Sequence, residues 1–174
     1  NEVPLRYFVM ELVQGEDLEE CINSQGPMSP AKACDIIHQI AAALGEAQKH
    51  NLVHRDIKPA NISLTAPIVV QGRKPLLCQA KLLDFGLARS ILMDEESLGL
   101  TGSRDIIGTP VYISPEQSIG KTIDARTDYY SLGVTLFEVF AGAPPLLGET
   151  AMETMILHQE MYPPLIRDIN SDAV

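Results

Sequence analysis

Between Asp128 and Ala141 the chain has no polar face. Tyr129, Tyr130, Leu132, Val134, Leu136, Phe137, Val139 and Phe140 take up nearly every side of one helical stretch. A helix without a wet side has to be wrapped, so this segment is expected to be a central helix with other elements packed round it. The rest of the chain can supply them. Its 174 residues are 45% hydrophobic and 21% charged, a composition that excludes coiled coil, collagen-like repeat and disorder. Ser29-Pro30 places a cap and a first-turn proline in the order that opens a helix. Behind them Ala33, Ile36, Ile37, Ile40, Ala41 and Leu44 recur at spacings of three and four, which gives one apolar face. Asp17 is a plausible cap for a short helix to about Asn23, and Thr150 to Gln159 reads as a further helix ended before Pro163.

The remaining periodic signals are short. Leu5 to Val13 is rich in β-formers with consecutive apolar residues and reads as a buried strand. Leu52-Val53, Ile68 to Val70, Leu76-Leu77 and Lys81 to Leu83 read as brief strands between turns. Ser90 to Gly108 shows no periodicity and reads as a long exposed loop, a length usually reserved for function. The fold class expected is therefore mainly α with small β elements.

Charge and cysteine content narrow the partners. Thirteen Lys and Arg against 23 Asp and Glu leave a formal net charge of −10, with no basic cluster, which argues against general nucleic-acid binding. Cys21, Cys34 and Cys78 show no metal-ligand or disulfide spacing and read as reduced, small hydrophobes of a cytoplasmic protein. The most apolar run, Ser131 to Leu147, contains Glu138 and Pro144-Pro145 and is too short to span a bilayer, and Asn1 to Met10 is no signal peptide. Three histidines without partner patterns, His38, His50 and His158, read as surface or helix-end residues, and Met152, Met155 and Met161 as packing.

Polar residues flanked by apolar ones must be paired or used. His54-Arg55-Asp56-Ile57-Lys58-Pro59-Ala60-Asn61 holds a carboxylate, a cation two positions on and an amide five positions on. In one loop these can serve as proton acceptor, phosphate-binding cation and neutral metal ligand. Asp84-Phe85-Gly86 places a second carboxylate at a strand end. Asn61 and Asp84 together offer the hard oxygens that Mg²⁺ takes beside phosphate oxygens. The set describes phosphoryl transfer from a metal-bound nucleotide.

The strings HRDIKPAN, DFGLAR, GTPVYISPEQ and DARTDYYSLGV occur in that order across nearly the whole chain. With them the chain resembles the C-terminal lobe of a eukaryotic-like Ser/Thr protein kinase of the bacterial type. The resemblance implies ATP as co-substrate, Mg²⁺ or Mn²⁺ as the metal, and protein Ser/Thr hydroxyls as acceptors. Asp56 is implied to accept the substrate proton and Lys58 to neutralise the moving phosphoryl group; Asn61 and Asp84 are implied metal ligands. Thr109 resembles the residue bonding Asp56 and Lys58, and with Lys58 favours Ser/Thr over Tyr acceptors. Met10 resembles the gatekeeper, Glu11 and Val13 the hinge that pairs with adenine through backbone groups, and Asp17 a ribose contact, for which helix capping is an equal reading. Asp128 resembles the buried aspartate that bonds the backbone at His54 and Arg55, in a structural role. Arg55 implies control by phosphorylation, with Thr101 and Ser103 as candidate sites, Arg89 and Lys81 as candidate co-ligands, and Phe85 and Gly86 as parts of the regulatory segment.

The pattern is also departed from. No Gly-rich loop, strand lysine or following helix glutamate is present, and the arginine that pairs with Glu116 in this family is not reached. The chain is accordingly expected to be one partial domain, 1–174, with 1–16 as hinge strand and linker and 17–174 as a C-terminal lobe truncated before its last helices. The N-terminal lobe is absent, so the isolated chain is expected to be inactive. Homodimerisation through the missing parts and a membrane anchor outside the chain stay open. Ser63 stands where the family places an apolar floor under adenine, and Thr65 to Gln79 is longer than usual, pointing to an enlarged hairpin. Two alternatives are weighed against the active kinase: a pseudokinase or interaction module, opposed by Asp56, Lys58, Asn61 and Asp84, and a small-molecule phosphotransferase, opposed by the Gly108 to Glu116 segment.

Overall fold

A computed structural model describes residues 9–66, 78–85 and 110–170. Among them the elements run β1 (Glu16–Asp17), α1 (Leu18–Gln25), α2 (Pro30–Lys49), a 3₁₀ turn (Pro59–Asn61), β2 (Ile62–Thr65), β3 (Gln79–Leu82), α3 (Pro115–Ser118), α4 (Ala125–Ala141), α5 (Ala151–Glu160) and α6 (Ile166–Ile169). Helices α2 and α4 pack on each other, and Ile36, Ile40 and Leu44 meet Leu132, Val139 and Phe140 in one core with Leu18, Ile57 and Ile62. Burying side chains of this size is worth about 1.5–3 kcal/mol each, which is why α2 and α4 are the frame.

The helix starts follow their caps. The Asp17 carboxylate accepts from the Glu20 N–H at 2.7 Å, Asp124 from Arg126, and Thr150 from Glu153. Helix α4 therefore begins at Ala125, three residues before the apolar run, because a capping side chain sets the start rather than hydrophobicity. It is not wrapped on all sides either. Tyr129 is 40% exposed, and Tyr129, Tyr130, Gly133, Val134 and Phe137 line an open cavity of about 290 Å³ with Pro145.

Three antiparallel strands form a small sheet in the order β1-β2-β3, with Asp17 opposite Ser63 and Thr65 opposite Gln79. Strands β2 and β3 flank the enlarged hairpin expected over Thr65 to Gln79, of which residues 67–77 lie outside the described residues. Gly15 runs so close to β2 that a Cβ on it would sit 2.4 Å from the Leu64 carbonyl oxygen. Gln39 of α2 reaches the outer edge of β3. Its Nε2 donates to the Cys78 carbonyl and its Oε1 accepts from the Ala80 N–H, both at 3.0 Å.

Several expectations are corrected. Residues 9–13 form no strand, and Val9 and Leu12 are 89% and 84% exposed: no described strand pairs with them, and β-propensity without a partner builds nothing. Leu52-Val53 is loop, because Leu52 donates back to Ala47 to close α2 and the next backbone donors go to a side chain. His158 stands in the last turn of α5, but it is buried at 3% exposure with its Nδ1 2.8 Å from the Tyr130 hydroxyl, where a surface or helix-end residue without a partner was expected. Only Met155 of the three methionines packs, with Met152 and Met161 mostly exposed. Cys34 is exposed, whereas Cys21 and Cys78 are buried, and burial raises the Cys21 thiol to about 11. The expected strands Ile68 to Val70 and Leu76-Leu77 and the loop Ser90 to Gly108 lie outside the described residues. No helix among the described residues is long and apolar enough to cross a membrane.

Candidate active site

The loop after α2 is shaped from the far end of the chain. Asp128, 3% exposed in α4, accepts from the His54 N–H through Oδ2 and from the Arg55 N–H through Oδ1, each at 2.7 Å. This clamp holds Arg55 at φ 69°, a left-handed conformation that costs a non-glycine residue about 1–2 kcal/mol. Gln117 of α3 adds a bond from Nε2 to the Arg55 carbonyl at 3.1 Å. Gln117 also completes a capping box with Ser114, so the helix start and the loop share one residue.

His54 is fully buried. Its Nδ1 accepts from the Asp56 N–H at 3.3 Å and its Nε2 lies 2.8 Å from the Leu83 carbonyl. Both contacts are bonds only if Nε2 carries the hydrogen, which fixes the neutral tautomer. Burial pushes its pKa down, against the Leu83 carbonyl and the carboxylates nearby, which pull it up. The imidazole thus joins the loop to the end of β3, with the Phe85 ring tilted against it at 4.8 Å.

Downstream, three polar side chains meet. The Lys58 ammonium lies 3.0 Å from Asp56 Oδ2. Asn61, 9% exposed at the end of the 3₁₀ turn, donates through Nδ2 to the Asp56 carbonyl at 2.7 Å and to its Oδ2 at 3.0 Å. Both bonds use the amide nitrogen, so Oδ1 remains as the donor oxygen for a cation. The Leu83 N–H donates to the Asn61 carbonyl at 2.8 Å, so the residue before Asp84 is tied to Asn61, and Asp84 follows just past the end of β3 at φ 54°. One amide oxygen and one carboxylate suit Mg²⁺, a hard ion that keeps water and phosphate oxygens. Among the described residues no three His, Cys, Asp or Glu side chains form a cage that would do without them.

The other predicted positions divide. Met10 and Glu11 are exposed and Val13 half-buried in the stretch before β1; the Glu11 carboxylate pairs with Lys81 Nζ at 2.6 Å. Asp17 caps α1 from the end of β1 and stands opposite Ser63, which is buried in the central strand β2. The Glu116 carboxylate accepts from the Thr127 hydroxyl at 2.5 Å. Burial raises its pKa, but bonds from Thr127, its own backbone and Ser114 outweigh that and leave it below the usual range. Gly86, Arg89, Thr101, Ser103 and Thr109 lie outside the described residues.

Sequence reasoning missed Gln117, Thr127, and the pair in which the Tyr112 hydroxyl donates to Glu138 Oε2 at 2.5 Å. The signal for Gln117 was present as Ser114-Pro115-Glu116-Gln117, a capping box opening on a proline. No local pattern marks the other two, which join residues far apart in the chain.

Residues 3–172 match the family profile described as protein kinase domain. Serine/threonine-protein kinase PknB of Mycobacterium leprae is 37% identical over 177 aligned residues, covering 98% of this chain and 26% of that protein. The protein of the same name from Mycobacterium tuberculosis is 39% identical over 166 residues, covering 94% and 25%, and that of Mycolicibacterium smegmatis 38% over 163, covering 92% and 24%. The chain thus spans about a quarter of the length of the curated relatives it matches.

Proposed function

The chain belongs to the protein kinase domain family, with the mainly helical fold of its C-terminal lobe, and on that premise we propose that the protein containing it moves the γ-phosphoryl group of ATP to Ser or Thr hydroxyls of proteins. The observation that carries this reading is the convergence of Lys58 and Asn61 on Asp56. Asp56 holds the proton-accepting position. As the substrate oxygen bonds to the γ-phosphorus, the bond to the β–γ bridging oxygen breaks, its electron pair leaves with ADP, and the hydroxyl proton passes to the Asp56 carboxylate. Asn61 orients that carboxylate through Nδ2, and Lys58 supplies a fixed positive charge beside the transferred group. A divalent ion, Mg²⁺ or Mn²⁺, held by Asn61 Oδ1 and Asp84, supplies charge neutralisation of the nucleotide phosphates when bound.

Adenine is placed at the backbone of Glu11 and Val13 beside Met10, with Ser63 beneath it and Asp17 at the ribose edge. Thr109 is assigned, by the family resemblance, the role of bonding Asp56 and Lys58. Phosphate on Thr101 or Ser103 relieves the charge of Arg55, with Phe85 and Gly86 in the segment that responds. The chain is the part of the domain from the hinge, 1–16, through the C-terminal lobe, 17–174.

The test is a phosphorylation assay of the full-length protein on a generic Ser/Thr protein substrate. Asp56→Asn should lower kcat by at least about 10²-fold, the usual contribution of a positioned base. Equal turnover by both proteins would sink the assignment.

A further inference from the structure

The strand that delivers Asp84 is only partly defined by its own sequence. Gln79 and Lys81 of β3 alternate with Ala80 and Leu82, which pack against the core, so a slip of one residue is excluded, whereas a slip of two keeps the same residue types on each face. The C-terminal end is held, with the Leu83 N–H on the Asn61 carbonyl and the Leu83 carbonyl at His54. At the other end, among the described residues, the side chain that bonds to the outer edge of β3 is Gln39.

Gln39 binds that edge as a neighbouring strand would. It takes the carbonyl of one residue and the N–H of the residue two further on, groups that point away from β2. It is carried by α2, whose Ile36 and Ile40 are fully buried in the core, so its amide is a fixed reference point. A slip of two residues would carry Asp84 about 7 Å along the strand, and a slip of one would turn Lys81 and Leu82 to opposite faces. We propose that Gln39 is a positioning residue for metal binding: by pinning Cys78 and Ala80 it sets the register that places the Asp84 carboxylate beside Asn61. This rests on the reading of Asp84 as a metal ligand given above.

The experiment titrates Mg²⁺ in the full-length protein and reads both kinase activity and metal-dependent ADP binding. Gln39→Met keeps the volume and removes both bonds. Gln39→Glu keeps the acceptor for Ala80 but sets an oxygen against the Cys78 carbonyl. Both should raise the half-saturating Mg²⁺ concentration about tenfold, the scale seen when a group orienting a metal ligand is lost, with turnover recovering as metal is raised. An unchanged Mg²⁺ requirement in both variants would overturn the proposal. So would a loss spread equally over metal-free ADP binding and melting temperature, because that is general destabilisation. Asp84→Asn run beside them separates the two ideas: if it leaves the Mg²⁺ requirement unchanged, the metal reading of Asp84 fails, and if it alone raises it, only the role of Gln39 fails.

Discussion

Replacing Asp128 by Asn puts the clamp on the His54–Arg55 backbone to a quantitative test. The carboxylate is 3% exposed and accepts two N–H groups at 2.7 Å. Asparagine keeps one acceptor oxygen and turns an NH₂ toward the other donor. One charge-assisted bond is lost, worth about 1.5–3 kcal/mol, and a buried backbone N–H is left facing a donor, so the total is about 2–4 kcal/mol. Domains of this size lose about 2–4 °C of melting temperature per kcal/mol, and the shift expected is on the order of 10 °C. Urea unfolding of the domain containing this chain measures the free energy, and hydrogen exchange at the His54 and Arg55 amides locates it. Arg55, released from φ 69°, should relax to a commoner conformation, and its amide should exchange fastest. A variant within about 0.5 kcal/mol of the wild type would refute the reasoning, since surface-like substitutions have effects of that size.

Gly15→Ala should destabilise by about 1–3 kcal/mol, because its Cβ would meet the Leu64 carbonyl at 2.4 Å; an unchanged urea midpoint would show that β1 is free to move away. His158 is held neutral by burial, with the Val111 carbonyl pulling weakly the other way, so its folded pKa lies below the unfolded value of about 6.5. Above that pH both states are neutral; below it the unfolded state binds more protons, and stability is lost as pH falls. His158→Gln should therefore show a smaller loss of stability than the wild type between about pH 7 and pH 5, and parallel curves would exclude this source. Lys81→Ala, which removes a pair to the largely exposed Glu11, should cost less than about 1 kcal/mol in the same unfolding experiment.

What could be read in advance was local. Ser29-Pro30 marked the start of α2 to the residue, and Thr150 that of α5, because a cap and its helix are neighbours in the chain. The apolar run from Asp128 located α4 but not its true start at Ala125, nor its wet side at Tyr129 and Gly133, since burial depends on what the other elements leave uncovered. Residues 9–13, the described part of the strand expected over Leu5 to Val13, and Leu52-Val53 failed for a related reason: a strand exists only with a partner, and at Leu52 and His54 the backbone donors went to Ala47 and Asp128. Within the site, spacing brought Asp56, Lys58 and Asn61 into one loop. It could not reveal the hydroxyl of Thr127 on Glu116, or Gln39 on β3, which are contacts between distant segments.

The span of the Asp128 clamp bears on the order of events during folding. The two amides it holds lie 74 and 73 positions earlier in the chain, so a large loop closes before the bonds form. Contacts of such range are made late relative to helix formation. On a ribosome, His54, Arg55 and Asp56 emerge long before their clamp does, and the loop lacks both Asp128 bonds until α4 has docked on α2. The full order of this loop therefore depends on the same packing step that builds the core.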